Sequence, residues 1–246
     1  MDLSNKVVLI TGGKRIGASV AAAVAAKGAD VGLSYHRSRA EAEATADTVR
    51  ALGRRAVTCR ADLSVPADCE ALVGATVKDL GRLDVLINMA SVYEAVPLAG
   101  LTTDHLQRSL DVEVKSALAC ALAAVPHMRA AGGGRIINVS DWLAMSGRPR
   151  YKGFLPYYVA KKAVAGLTEA LALELAEDQI LVTAIAPGPI LPPPDLDAEE
   201  AKAVEKATPL GRWGGGDEIA KIVLALIDSD FVTGETIRVD GGRHIR

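Results

Sequence analysis

The sequence predicts an α/β fold, a single domain over residues 1–246 built on a doubly wound parallel sheet with helices on both faces. Three observations predict it. Short apolar runs alternate with amphipathic segments from end to end. The runs are continuously apolar, as expected of strands covered on both sides. A helix-length segment separates most of them, and right-handed crossovers turn that pattern into a parallel sheet. Val7–Thr11 is β-branched and uncharged and reads as the first strand. The Ala-rich stretch 16–27 reads as the first helix. Strand 31–35 and helix 40–52 follow, then strand Ala56–Arg60, helix Pro66–Leu80 and strand 84–88. A long helix is predicted over 103–131, a strand over 135–140, a helix over 157–177 and a strand over 181–186. A helix at 217–228 leads to the last strand, Thr236–Val239. Segments 142–156 and 187–208 read as irregular. Both follow strand carboxyl ends, where open α/β sheets bind ligands. They are candidate substrate walls, with a substrate loop at about 190–208.

Half of the 246 residues are apolar, enough for one large core. The formal net charge of −2 implies no polyanionic partner, so nucleic acid is not expected. Cys59, Cys69 and Cys120 form no CxxC motif and show no ligand-like spacing to the four histidines. They read as buried thiols in a reducing compartment, with no metal site. Residues 1–6 lack a signal-peptide layout, and no segment reads as a membrane span. A cytoplasmic protein is expected.

The first chemical signal is the turn Thr11-Gly12-Gly13-Lys14-Arg15-Ile16-Gly17. Missing side chains let a pyrophosphate approach the backbone, and the following helix N-terminus supplies N–H donors and partial positive charge. The end of the second strand indicates the cofactor. An NAD-preferring site needs a carboxylate there for the ribose diol. This chain has Tyr35-His36-Arg37-Ser38, with no acid. Arg37, Ser38 and the Lys14-Arg15 pair are instead suited to surround a 2′-phosphate. Charge-assisted hydrogen bonds contribute about 1.5–3 kcal/mol each, so NADPH is the expected cofactor. Asp62, after the third strand, is a candidate partner for the adenine amino group or an N-cap for the helix at Pro66.

The second signal is Tyr157-Tyr158-Val159-Ala160-Lys161. It puts a phenol and an ammonium on one helix face. Tyr158 and Lys162 share the spacing. Asp141 lies upstream, at the end of a strand.

Together these residues resemble the short-chain dehydrogenase/reductase family over essentially the whole chain. The glycine turn, Asp62-Leu63-Ser64, Asn88-Met89-Ala90-Ser91, the run from Gly134 to Ser140, Tyr157 with Lys161, Pro187-Gly188 and Val239-Asp240-Gly241-Gly242 come in family order. The resemblance implies a Rossmann-like fold and selects Tyr157 with Lys161 by register. Lys14-Arg15-Ile16-Gly17, His36-Arg37-Ser38 and Asp141 after Ser140 are similar to the pteridine reductase branch. That similarity implies Arg15, His36, Arg37 and Ser38 at the NADPH 2′-phosphate side, and an active-site trio of Asp141, Tyr157 and Lys161. Tyr93 falls where that branch sandwiches the pterin against the nicotinamide. By the family pattern the cofactor also meets Gly12, Lys14, Ile16, Gly17, Asp62, Leu63, Asn88, Ala90, Ser91, Tyr157, Lys161, Pro187, Gly188 and Ile190. The substrate meets Ser91, Tyr93, Asp141 and Tyr157. Many relatives are homotetramers joined through helices 103–131 and 157–177 and the last strand, and a homotetramer is expected. Four departures stand out. The glycine turn is shorter than usual, Met89 replaces the second Asn of the usual pair, and Glu113 stands where the family carries an Asn that helps hold a relay water. The interval from Asp141 to Tyr157 is longer than common, and Arg150-Tyr151-Lys152-Gly153-Phe154 is expected to bulge over the pocket.

In this reading Tyr157 protonates the reduced substrate, and Lys161 lowers the phenol pKa from about 10. An ionised Asp141 only accepts hydrogen bonds, whereas a protonated one can donate. A pterin offers ring N–H and amino donors, which suits Asp141. The alternative is that Asp141 only caps a turn and Ser140 performs the usual serine role. Trp142, Tyr151, Phe154 and Trp213 are possible pocket aromatics, and the proline run from Ile190 to Asp195 restricts the start of the substrate loop. The sequence therefore predicts an NADPH-dependent reductase of a pterin-like planar heterocycle. The alternatives are a carbonyl reductase for a 3-oxoacyl thioester or small ketone, and an NADPH-binding regulator without turnover.

Overall fold

The computed structural model describes residues 1–12, 14–147, 149–194 and 196–245. Gly13 of the glycine turn and Asp195 of the proline run lie outside them. Seven parallel strands form one sheet: β1 (Val7–Thr11), β2 (Asp30–Tyr35), β3 (Ala56–Arg60), β4 (Val85–Asn88), β5 (Gly134–Val139), β6 (Ile180–Pro187) and β7 (Thr236–Val239). Their order is β3-β2-β1-β4-β5-β6-β7. The order reverses at β1, which pairs with both β2 and β4, so the ligand crevice opens beyond the carboxyl ends of β1 and β4.

The connections are α1 (Ile16–Ala26), α2 (Arg39–Ala51), α3 (Pro66–Leu80), α4 (Thr103–Leu110), α5 (Ser116–Ala130), α6 (Trp142–Met145), α7 (Leu155–Leu175), α8 (Ala198–Ala207) and α9 (Gly216–Asp228). One core layer packs α1 and α9 against the sheet through Val8, Ile10, Val20, Val24, Ile219 and Val223. The other packs α3, α5 and α7 through Val7, Leu9, Leu72, Cys120 and Ala172. Alternate residues of β1 thus point to opposite layers, as the pleat requires. Cys69 and Cys120 are buried, and Cys59 is half-buried. Among the described residues, no helix is long and apolar enough to cross a membrane, and no group of His, Cys, Asp and Glu could hold a metal ion.

Three departures from the expected elements bear on the site. The long helix predicted over 103–131 is interrupted by a π-helical turn, Asp111–Lys115, between α4 and α5. Segment 142–156 contains the short helix α6, and segment 187–208 contains α8. The helix carrying Tyr157 starts at Leu155, with Pro156 in its first turn, where the missing N–H leaves no bond unmade.

Candidate active site

A single cleft of about 1800 Å³ runs along the carboxyl ends of the strands. At one end the chain leaves β1 through Gly12 at φ 96° and enters α1. A Cβ on Gly17 would lie 2.1 Å from the Gly12 carbonyl oxygen, so only glycine fits there. Bare backbone beside a helix N-terminus is the cradle a pyrophosphate needs. Lys14, His36, Arg37 and Ser38 line the cleft at the neighbouring end of β2. Leu63, Ala90, Ser91, Pro187, Gly188 and Ile190 line its length. These residues fit a dinucleotide.

Arg15 and Asp62 also line the cleft, and they and Asn88 make contacts within the protein. Arg15 lines the cleft, but its Nη2 donates to the carbonyls of Leu191 and Pro192, at 3.2 and 2.9 Å. It holds the start of the substrate loop and is not directed to the end of β2. Asp62 is not the N-cap of α3, a position held by Val65. Its Oδ1 accepts from the Ser64 amide and hydroxyl, and its Oδ2 lies 3.7 Å from His36 Nε2. Asn88 lies behind the wall, because its amide donates to Asn138 Oδ1 at 2.9 Å and the Ala117 carbonyl at 3.4 Å.

At the other end the predicted trio assembles. Tyr157, on α7, is buried, and its hydroxyl donates to Asp141 Oδ2 at 2.7 Å. The other oxygen of Asp141 accepts from the Leu143 amide at 2.7 Å and caps α6. Asp141 therefore caps a turn and binds Tyr157 at once. Ser140 cannot take the serine role, because its buried hydroxyl donates to the Lys161 carbonyl at 2.8 Å. Lys161 Nζ donates to the Val139 carbonyl at 2.7 Å and pairs with Glu113 Oε2 at 2.6 Å. Glu113 sits in the π turn with its side chain 1% exposed. Its Oε1 accepts from the Ser91 hydroxyl at 2.5 Å and the Val92 amide at 2.9 Å.

Two carboxylates and one ammonium thus surround the phenol. The expectation that Lys161 lowers the Tyr157 pKa is overturned. Burial first, then the charges of Asp141 and Glu113, hold the phenol well above its ordinary value of 10. Glu113 pairs with the ammonium that would otherwise stabilise a phenolate. Burial also raises the Asp141 pKa above 3.8, against the Leu143 amide, Tyr157 hydroxyl and Lys161, which lower it.

Aromatic rings complete the mouth. Tyr93 stacks on Phe154, with centroids 4.7 Å apart, and meets Tyr157 edge-on at 5.0 Å. Trp142, Tyr151 and Trp213 also line the cleft. Segment 150–154 does reach the pocket, through Tyr151, Lys152 and Phe154. Leu196, Glu200, Ala203 and Val204 line the cleft from the expected substrate loop and α8, whereas Arg243, from the carboxyl-terminal turn, was missed by sequence reasoning. Glu113 was singled out at the relay-water position, but its ion pair with Lys161 and its bond from Ser91 were not foreseen.

A family model described as enoyl-(acyl carrier protein) reductase matches residues 12–244. The chain is 33% identical to the 3-oxoacyl-(acyl-carrier-protein) reductase FabG of Staphylococcus aureus, covering 98% of each chain. The chain belongs to the short-chain dehydrogenase/reductase family. It is an oxidoreductase of the kind that uses NAD(P)H. The acetoin dehydrogenase of Enterobacter cloacae superposes with a TM-score of 0.89 at 36% identity, covering 98% of this chain and 96% of that one. A blue fluorescent protein from a metagenomic library, solved in complex with NADPH, superposes with a TM-score of 0.89 at 34% identity, covering 99% of each.

Proposed function

We propose that this enzyme is an NADPH-dependent reductase of a planar, nitrogen-rich heterocycle of the pterin type. The observation that carries the proposal is the 2.7 Å hydrogen bond from Tyr157 to Asp141, with Ser140 bonded into α7. A carbonyl substrate needs a donor beside the tyrosine to hold its oxygen. Ser140 has no proton to offer, and an ionised Asp141 would repel the oxygen. The same carboxylate accepts from a ring N–H or amino group. A reduced dinucleotide bound in the cleft would supply hydride, and Tyr157 is placed to deliver the proton that the reduced ring needs. Asp141 holds the phenol on its proton and orients it. Lys161, fixed by Glu113 and Val139, keeps α7 in register with the end of β5. Tyr93 offers a ring face for a planar substrate.

NADPH preference is supported by Lys14, Arg37 and Ser38 on the cleft and by the absence of an acid at the end of β2. Losing one charge-assisted hydrogen bond costs about 1.5–3 kcal/mol, so Arg37→Ala should lower the NADPH-to-NADH ratio of kcat/KM by about one to two powers of ten. An unchanged ratio would remove Arg37 from the phosphate site. Homotetramer formation is supported by Leu122 and Leu173, exposed apolar side chains on α5 and α7.

The relatives favour a second reading, a carbonyl reductase, since FabG and acetoin dehydrogenase are named for carbonyl chemistry. That reading requires a protonated Asp141, which burial promotes. Initial rates of NADPH oxidation with dihydrobiopterin and with an acetoacetyl thioester separate the two. Turnover of the pterin supports the proposal. Turnover of the thioester alone transfers the assignment to the second reading.

A further inference from the structure

We infer that Arg243 forms a subsite for an anionic group on the substrate, so that the preferred substrate carries a carboxylate or similar charge. The inference rests on the reductase reading of the cleft and names a property of its substrate. Arg243 opens a 3-10 turn, Arg243–Ile245, at the carboxyl terminus. The turn is pinned. Asp240, itself buried, accepts from the Gly242 amide at 3.0 Å and the His244 amide at 2.9 Å, and lies 2.7 Å from His244 Nδ1. Arg150 Nη2 donates to the His244 carbonyl at 2.6 Å.

The Arg243 guanidinium is held as well. Its carbon lies 5.7 Å from the centroid of the Trp142 ring, and Nη2 donates to the Tyr151 hydroxyl at 3.2 Å. Stacking and one neutral acceptor leave further N–H donors of the planar fork available. Among the described residues, no carboxylate pairs with Arg243. Two other cations on this wall are neutralised: Lys161 pairs with Glu113, and Arg108 with Glu94. Lys152, beside Tyr151, lines the same cleft. A guanidinium fixed on a cleft wall without a counter-charge is prearranged for a planar anion, which it binds through parallel hydrogen bonds.

The test compares acid and ester pairs in the wild-type enzyme and in Arg243→Gln. Dihydrofolate and its dimethyl ester form one pair, acetoacetate and methyl acetoacetate the other. We expect the acid-to-ester ratio of kcat/KM to fall about tenfold in Arg243→Gln, the loss of one charge-assisted contact. Arg243→Lys should keep part of the ratio. A ratio unchanged by Arg243→Gln overturns the subsite even if dihydropterins turn over. A ratio that falls only in the acetoacetate pair, with heterocycles silent, supports the subsite and overturns the pterin reading. If nothing turns over, quenching of tryptophan fluorescence by p-aminobenzoylglutamate decides. Weaker quenching in Arg243→Gln supports the subsite, and equal quenching overturns it.

Discussion

Replacing Tyr157 with Phe is expected to lower kcat by about two to four powers of ten, the contribution of a positioned general acid. NADPH affinity should remain within a few-fold of wild type. The phenol is buried against Asp141 and Phe replaces it almost isosterically. The ring keeps its edge contact with Tyr93, so the pocket keeps its shape while losing the proton. The pH dependence follows from the charges. Burial, Asp141 and Glu113 all favour the neutral phenol, so the wild-type enzyme should hold its acid well into the alkaline range. An ammonium free of Glu113 would pull the titration down, and activity would then fall as pH rises through the lowered value. Glu113→Gln should move the alkaline limb of the kcat profile toward neutrality for that reason. Steady-state rates between neutral and strongly alkaline pH, with NADPH binding measured by fluorescence, check both variants. Full activity in Tyr157→Phe, or an equal loss of cofactor binding, would remove Tyr157 as the proton donor.

Strands β1, β2, β4, β5 and β6 were legible as short, mostly buried runs, whereas the edge strands β3 and β7 are only partly buried. Elements β1, β3, β7 and α3 end where turn residues and caps predict. Helix α8 was not identified although Ala198, Ala201, Val204 and Ala207 recur at helical spacing, and none of its residues is buried. The Asp197 side chain, accepting from the Glu200 amide, marks its start, with Glu199 and Glu200 in the first turn. Tyr157, Lys161 and Asp141 were identifiable by type and order, but their partners were not. Ser140 and Asp141 are adjacent, and which one faces α7 depends on the pairing of β5 with β6, completed by the Ser140 amide bond to Ile185. Glu113 turns inward through a π turn that its sequence does not announce. Arg15 shows the limit of motif reasoning. Its place in the glycine turn suggested a phosphate ligand, yet the carbonyls of the loop at Leu191 and Pro192 hold it. Arg243 meets Trp142 only through tertiary packing, so no local pattern could have found it.

Asp141→Ser is expected to lower reduction of a dihydropterin by about two to three powers of ten, the range for removing one aligned hydrogen-bonding group from an active site. The loss should exceed that for the acetoacetyl thioester, whose oxygen gains the donor that Ser140 cannot provide. Asp141→Asn separates charge from shape. Its single carbonyl oxygen cannot serve both the Leu143 amide and the Tyr157 hydroxyl as two carboxylate oxygens do. Stability supplies an independent readout. Burial raises the folded-state pKa of Asp141 above its unfolded value. The protonated group therefore contributes stability that is fully present below the unfolded pKa and lost as pH rises through the folded one. Asn, which never ionises, escapes that loss. Asp141→Asn should gain in Tm relative to wild type as pH rises from acid to neutral. A Tm difference that is flat with pH would mean that the Tyr157, Leu143 and Lys161 contacts offset burial. A rising difference would mean that burial outweighs those contacts, and turnover of the thioester without the pterin would then favour the carbonyl reading.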